Sequence, residues 1–307
     1  MSTLNLKWLV ALTLAAVSLS VVKAEPHCPG NVTSLPLRLV QRSQIVVPVR
    51  INHAGPFDFL VDTGAQVTTV DPALAAALHL KTLETVGVTG VGVYARAPLT
   101  QLESVDAGSH VVENVLAVIQ DLGQTALADS RVRGVLAGNF LEHFDLLIDY
   151  PHSIVCLDDS AEMEKKVKGA HIPFSAQAGA QGSAPTPQKL IVSAYVPGIE
   201  KRMLRLQLDS GINSALLYGA GEDLKPGQVT GAPLRSRGTD GVEHAFAVLV
   251  SQDVQVGPHS LRQIQFVMPM NAGKNSPKAD VDGLLPTMLF QRIYVNYADH
   301  YVVLESW

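Results

Sequence analysis

The chain reads as two copies of one pattern. "DLLIDYPHSIVCLD" (Asp145 to Asp158) and "RIYVNYADHYVVLE" (Arg292 to Glu305) align at an offset of 147, with Asp149-Tyr150 on Asn296-Tyr297, Val155 on Val302 and Leu157 on Leu304. The same offset carries Asp62 in "VDTG" onto Asp209 in "LDSG" (209 − 62 = 147). Just upstream of the terminal stretches, "RGVLAGNFLEHF" around Gly134 resembles "DGLLPTMLFQRI" around Gly283 at an offset of 149, a difference that a small loop explains. Self-similarity at one period marks a structural unit used twice. The boundary falls in the charged and then Gly/Ala/Pro-rich stretch from Asp158 to Gln188, which has the composition of a linker plus an exposed loop. Residues 25–165 are expected to form an N-terminal lobe and residues 166–307 a C-terminal lobe.

The repeated unit is mainly β. From Leu37 onward, short apolar segments such as "QIVVPVRI", "FDFLVD", "AFAVLVSQDVQV" and "QIQFVM" are broken by Gly, Pro, Asn or Asp. Helix signals are few: "DPALAAALHL", with Asp71 as N-cap and Pro72 at the first helical position, and the charged "SAEMEKKVK" after Ser160. With 307 residues, 47% hydrophobic and 17% charged, the chain has material for two cores.

"FLVDTGAQVTTV" (Phe59 to Val70) places a carboxylate directly after three apolar residues. Taken alone, such an Asp is a turn former or a helix cap. Repetition changes the reading. In each half an Asp follows an apolar strand and precedes a small hydroxyl residue (Thr63, Ser210) and a glycine (Gly64, Gly211) that lets the backbone turn and its amide approach the carboxylate. Two such loops about a pseudo-twofold axis bring Asp62 and Asp209 together, and adjacent carboxylates share one proton. One can then act as general base and the other as general acid.

At these residues the sequence resembles the aspartic peptidases, specifically bacterial two-lobed proteins with retropepsin-like halves, over about Val46 to Leu304. "VDTGA" carries the resemblance most strongly. "LQLDSGINSALL" departs from the pattern, with polar Gln207 in the leading strand and Ile212 where the family has Ala, Ser or Thr. The resemblance implies two retropepsin-like (acid-protease) β-barrel lobes with a cleft between them. It makes Asp62 and Asp209 the catalytic dyad, Thr63 and Ser210 a hydroxyl grip across the lobes, and Gly64 and Gly211 amide donors to the carboxylates. The hydrophobic-hydrophobic-Gly element behind each loop falls on Val135-Leu136-Ala137 and Leu284-Leu285-Pro286, and neither retains the glycine. A substrate-covering hairpin is expected in "VGVTGVGVYARAPL" (Val86 to Leu99), with Tyr94 as its polar aromatic. The activity implied is that of an aspartic endopeptidase acting on a peptide or protein substrate, as a monomer, with neither metal nor cofactor.

Other chemistries lack a motif. There is no HExxH, paired CxxC or GxSxG, the ten histidines are scattered, and Gly87, Gly90 and Gly92 fit neither nucleotide-loop spacing. The net charge of -5 without a basic run gives no footprint for nucleic acid. The N-terminus has one Lys, an apolar run from Trp8 to Val22 and the small-residue site Val22-Lys23-Ala24. Residues 1–24 are therefore expected to be a cleaved signal peptide, giving a secreted or periplasmic protein without stable membrane insertion. Asn31 to Thr33 form a glycosylation triplet in a host that glycosylates. Cys28 and Cys156 face two alternatives: a disulfide, or a buried Cys156 with a free Cys28. Function has alternatives too: an inactive peptide-binding protein on the same scaffold, or a one-lobe peptidase acting as a homodimer.

Overall fold

The computed structural model describes residues 28–30, 32, 34–91, 93–159, 161–175, 187–199, 202–218, 227, 229–270 and 280–307. The expected leader and residues 31 and 33 of the glycosylation triplet lie outside them. The protein is mainly β, and its two lobes share one strand order. In the first, the sheet runs Arg38–Val40, Gln44–Ile51, Ala54–Val61, Val132–Leu136, Thr68–Val70, His110–Ile119, Val93–Ala107, Glu84–Gly90. Gln44–Ile51 also pairs with Val93–Ala107, through Arg50 with Asp106 and Ile51 with Val105, which closes the sheet toward a barrel.

The second lobe repeats this from Ile191–Tyr195 onward: Leu204–Asp209, Gly283–Pro286, Ala215–Leu217, Phe266–Pro269, Glu243–Val248, Leu234–Arg237. Gln252–Val256 and His259–Ile264 extend its other edge. Strand directions agree as well. Val61 lies parallel beside Leu136 and Leu208 beside Leu285, while the strands at Thr69 and Leu216 run antiparallel to the same neighbours.

A six-stranded sheet joins the lobes, in the order Ser34–Pro36, Ile154–Asp158, Asp145–Asp149, Phe290–Asn296, Tyr301–Ser306, Ile172–Pro173. At its centre Leu147 faces Tyr294, its own mate in the repeat (294 − 147 = 147). The pseudo-twofold axis therefore crosses the sheet at that pair. The sheet's apolar residues are largely buried on both faces, which accounts for unbroken runs such as "LLI" and "IVCL". Cys28 and Cys156 are joined in a disulfide, with Cα atoms 5.8 Å apart, and this selects the first of the two cysteine alternatives. The bridge packs with Met163 and Tyr301.

The helix Pro72–Ala77 forms as its sequence predicts, with Asp71 accepting from the amides of Ala73 and Leu74. The charged patch after Asp158 does not become a helix. It is a series of turns from Glu162 to Lys166, held because the Asp158 carboxylate takes the Met163 amide at 2.6 Å and Met163 is buried beside the disulfide. Tertiary anchoring of one side chain overrides helix propensity there.

Candidate active site at the lobe interface

Each aspartate sits at the end of a central strand. Phe59, Leu60 and Val61 are buried, and the next residue, Asp62, donates its backbone amide to the Leu136 carbonyl at 3.0 Å. In the second lobe the strand Leu204–Asp209 ends the same way, with Asp209 beside Pro286. The carboxylates are held by the backbone turning after them. Asp62 Oδ1 accepts from the amides of Gly64 at 2.8 Å and Ala65 at 3.0 Å, and Asp209 Oδ1 accepts from the Gly211 amide at 2.7 Å.

The two hydroxyl residues clasp each other across the lobes. The Thr63 amide donates to Ser210 Oγ and the Ser210 amide to Thr63 Oγ1, both at 3.1 Å. Each hydroxyl then donates onward, Thr63 to the Leu208 carbonyl at 3.0 Å and Ser210 to the Val61 carbonyl at 2.7 Å. All four groups are satisfied in a buried place where an orphan would cost about 1–3 kcal/mol.

The glycines have a use beyond turning the chain. A Cβ on Gly64 would fall 2.2 Å from Asp209 Oδ2, and one on Gly211 would fall 2.4 Å from the Asp62 carboxyl. Each aspartate thus rests against the other lobe's glycine, so the two side chains face each other across the interface. Burial raises both carboxyls above their ordinary values, and the charge of Asp62 raises Asp209 further. Asp209 is 5% exposed, whereas Asp62 keeps partial access to solvent and gains two amide donors. Adjacent buried carboxyls cannot both ionise cheaply, so the pair binds and releases its proton as a unit.

The missing glycines behind the loops leave no strain. Ala137 adopts φ -110 and Pro286 φ -60, both open to ordinary residues. Gly138, one position later, donates its amide to the Ala65 carbonyl at 3.0 Å and straps the first loop from behind.

The strands Glu84–Gly90 and Val93–Ala107 form the expected hairpin, and Val91 at its tip packs on the second lobe's cluster of Leu216, Phe246 and Leu284, beside Ile212 and Tyr218. Tyr94 is 56% exposed and lies back over Gly87, where an added Cβ would meet its hydroxyl at 2.5 Å. A second hairpin, Leu234–Arg237 with Glu243–Val248, reaches the other way. Gln120 Nε2 of the first lobe donates to the Thr239 carbonyl at 3.4 Å, and Gly123 admits the carbonyls of Arg237 and Gly238, each 2.9 Å from where its Cβ would be. The repeat offset maps Val91 onto Gly238 (238 − 91 = 147), a signal in the sequence that points to this second hairpin. The reading of the sequence also missed a buried hydrogen bond of 2.6 Å between the Tyr150 and Thr287 hydroxyls, with Tyr150 close enough to feel the charge of Asp209.

Two β lobes of like topology, a shared sheet and facing aspartates match the two-lobed β arrangement expected from the sequence. Comparison of sequences agrees for the first lobe: residues 47–140 match the family model described as aspartyl protease. No curated protein matches the chain. Among solved structures it is similar to a retropepsin-like aspartic protease from Rickettsia conorii, at 20% identity and a TM-score of 0.31 over 41% of this chain and 91% of that one. It is also similar to an aspartic proteinase from Irpex lacteus, at 12% identity and a TM-score of 0.48 over 89% and 96% of the two chains.

Proposed function

We propose that this protein is an aspartic endopeptidase in which Asp62 and Asp209 form the catalytic dyad. The observation that carries the reading is the pair of facing buried carboxyls, each packed on the other lobe's loop glycine and each raised above its ordinary value by that burial. Ionised Asp62 takes a proton from a water molecule while the oxygen of that water bonds to the peptide carbonyl carbon. Asp209 gives its proton to the carbonyl oxygen, which yields a neutral tetrahedral diol. Asp62 then passes its proton to the amide nitrogen as the C–N bond breaks, and Asp209 recovers a proton from a diol hydroxyl. Buried amides and the hydroxyl clasp hold the carboxyls still through both steps.

An extended peptide lies in the cleft beneath the two hairpins, with strand-like backbone hydrogen bonds and apolar side chains near Ile212 and Tyr218. The protein acts as a monomer, since one chain supplies both aspartates. It works outside the cytoplasm: the apolar N-terminal run and the Cys28–Cys156 disulfide support this. Among the described residues no helix is long and apolar enough to cross a membrane.

Incubation of the purified protein with a mixed peptide library from pH 3 to 7 tests the reading. Cleavage is expected on the acid side and is reduced by about 10³-fold or more in both Asp62→Asn and Asp209→Asn. Peptide binding without turnover, or loss with Asp62→Asn alone, would overturn it.

A further inference from the structure

The carbonyl of each active-loop glycine is held by a glutamine from the opposite lobe. Gln207 Nε2 donates to the Gly64 carbonyl at 3.0 Å, and Gln44 Nε2 donates to the Gly211 carbonyl at 2.7 Å. Both side chains are buried, at 4% and 8% exposure. Only the nitrogen end of a primary amide can bond a carbonyl, so the chemistry assigns which end faces the loop.

Those two carbonyls belong to peptide groups that also serve the dyad. The peptide carrying the Gly64 carbonyl has its N–H on Ala65, and that N–H donates to Asp62 Oδ1 at 3.0 Å. The peptide carrying the Gly211 carbonyl has its N–H on Ile212, the counterpart of Ala65 under the repeat offset (212 − 65 = 147), and that N–H favours the ionised Asp209 carboxyl. An amide that accepts a hydrogen bond at its oxygen becomes a stronger donor at its nitrogen, and low local dielectric enlarges the effect.

We propose that Gln207 and Gln44 are positioning residues for the dyad, each polarising from the opposite lobe the peptide group whose N–H holds an aspartate. The inference rests on the reading of Asp62 and Asp209 as the working carboxyls. The repeat strengthens it. The offset takes Gln207 to Leu60 (207 − 147 = 60), an apolar residue buried in the equivalent strand, so packing at that point does not call for an amide. The two glutamines reach equivalent carbonyls from inequivalent strand positions, which ties them to the needs of the loops and not to a duplicated strand sequence. The arrangement also makes each carboxyl's environment depend on the other lobe being seated. Among the described residues, the phenols of Tyr150 and Tyr218 are ionisable groups that feel Asp209, the latter also feeling Asp280. Burial lifts both phenols far above the acid range, so they stay neutral there.

The test is a titration of aspartate carboxyls by carbon-13 NMR in the full chain, comparing wild type with Gln207→Met, Gln44→Met and Gln207→Glu. Methionine fills the space without a donor, and a protonated glutamate can still donate to the carbonyl. In each methionine variant the apparent pKa values of the pair are expected to rise, by on the order of half to one unit. Gln207→Glu should follow wild type in acid and depart as the new glutamate ionises. In peptide cleavage, kcat of the methionine variants should fall about tenfold with KM within about twofold. Folded methionine variants whose dyad titrates as in wild type would overturn the proposal. Should those variants fail to fold, a Gln207→Glu dyad indifferent to ionisation of that glutamate overturns it equally. The titration needs no turnover, so a protein that cleaves nothing but shows the shifts would sink the peptidase reading and leave the positioning role standing.

Discussion

A buried carboxyl pair makes stability depend on pH in a definite direction. Asp209 holds its proton more tightly folded than unfolded, so the folded state binds more protons once pH exceeds the ordinary carboxylate value near 3.8. The pair's contribution is then complete in acid and is lost as pH rises toward the folded value. Asp209→Asn removes the site and with it this loss. Its Tm should exceed that of wild type by about 3 °C or more at pH 7, with the difference shrinking to nothing near pH 3. Calorimetry of both proteins across this range checks it, and a variant less stable at pH 7 would contradict the account. Asp145 behaves alike, raised to about 6 by burial and by the charges of Asp158, Glu164 and Asp299, although the Tyr294 hydroxyl donates to it. Asp145→Asn should therefore gain on wild type between about pH 4 and 7, which urea titrations at the two ends would show.

At the scale of elements, the two hairpins roof the interface from opposite sides. Val91 of the first packs on the second lobe, and Thr239 of the second meets Gln120 of the first. The tips also approach each other, since a Cβ on Gly90 would lie 3.8 Å from Thr239 Oγ1. If the protein is the peptidase proposed above, this roof opens to admit a peptide and closes over it. Val91→Ser removes apolar contact worth about 1–1.5 kcal/mol in the closed form, so KM for a fixed fluorogenic peptide should rise by up to about tenfold and Tm should fall by about 2–5 °C. An unchanged KM would mean that the hairpin tip does not close on substrate. The first hairpin was legible through its spaced glycines, and the second through the repeat offset alone, because "SRGTDGVEH" has no apolar alternation to announce a strand.

For the whole molecule, the six-stranded sheet holds the two lobes together, and the disulfide ties the start of the described chain to that sheet. Cys28 lies at the edge of the described chain and Cys156 in a strand of the shared sheet, 128 positions further along the sequence. Closing a loop of that length lowers the entropy of the unfolded chain, so Cys28→Ser with Cys156→Ser should cost about 3–5 kcal/mol in urea unfolding. The cleft and its carboxyls lie on other strands, so activity per folded molecule should persist. A double variant as stable as wild type would show the bridge to be idle.

The duplication, the strand-rich lobes and the Asp-hydroxyl-Gly loops were readable because each is a local pattern written twice. Alternation, turn residues and a shared period survive in one dimension. The Gln207 departure was visible as an oddity, but its bond to Gly64 lies 143 residues away, and Gln44 carries no local mark at all. The sequence by itself determined two like lobes and placed an aspartate at the end of a buried strand in each. Only the tertiary structure decided that each carboxyl rests on the other lobe's glycine, that burial raises both carboxyls, and that two cysteines meet. Those outcomes depend on through-space approach and on the water it excludes, which neighbouring residues along a chain do not encode.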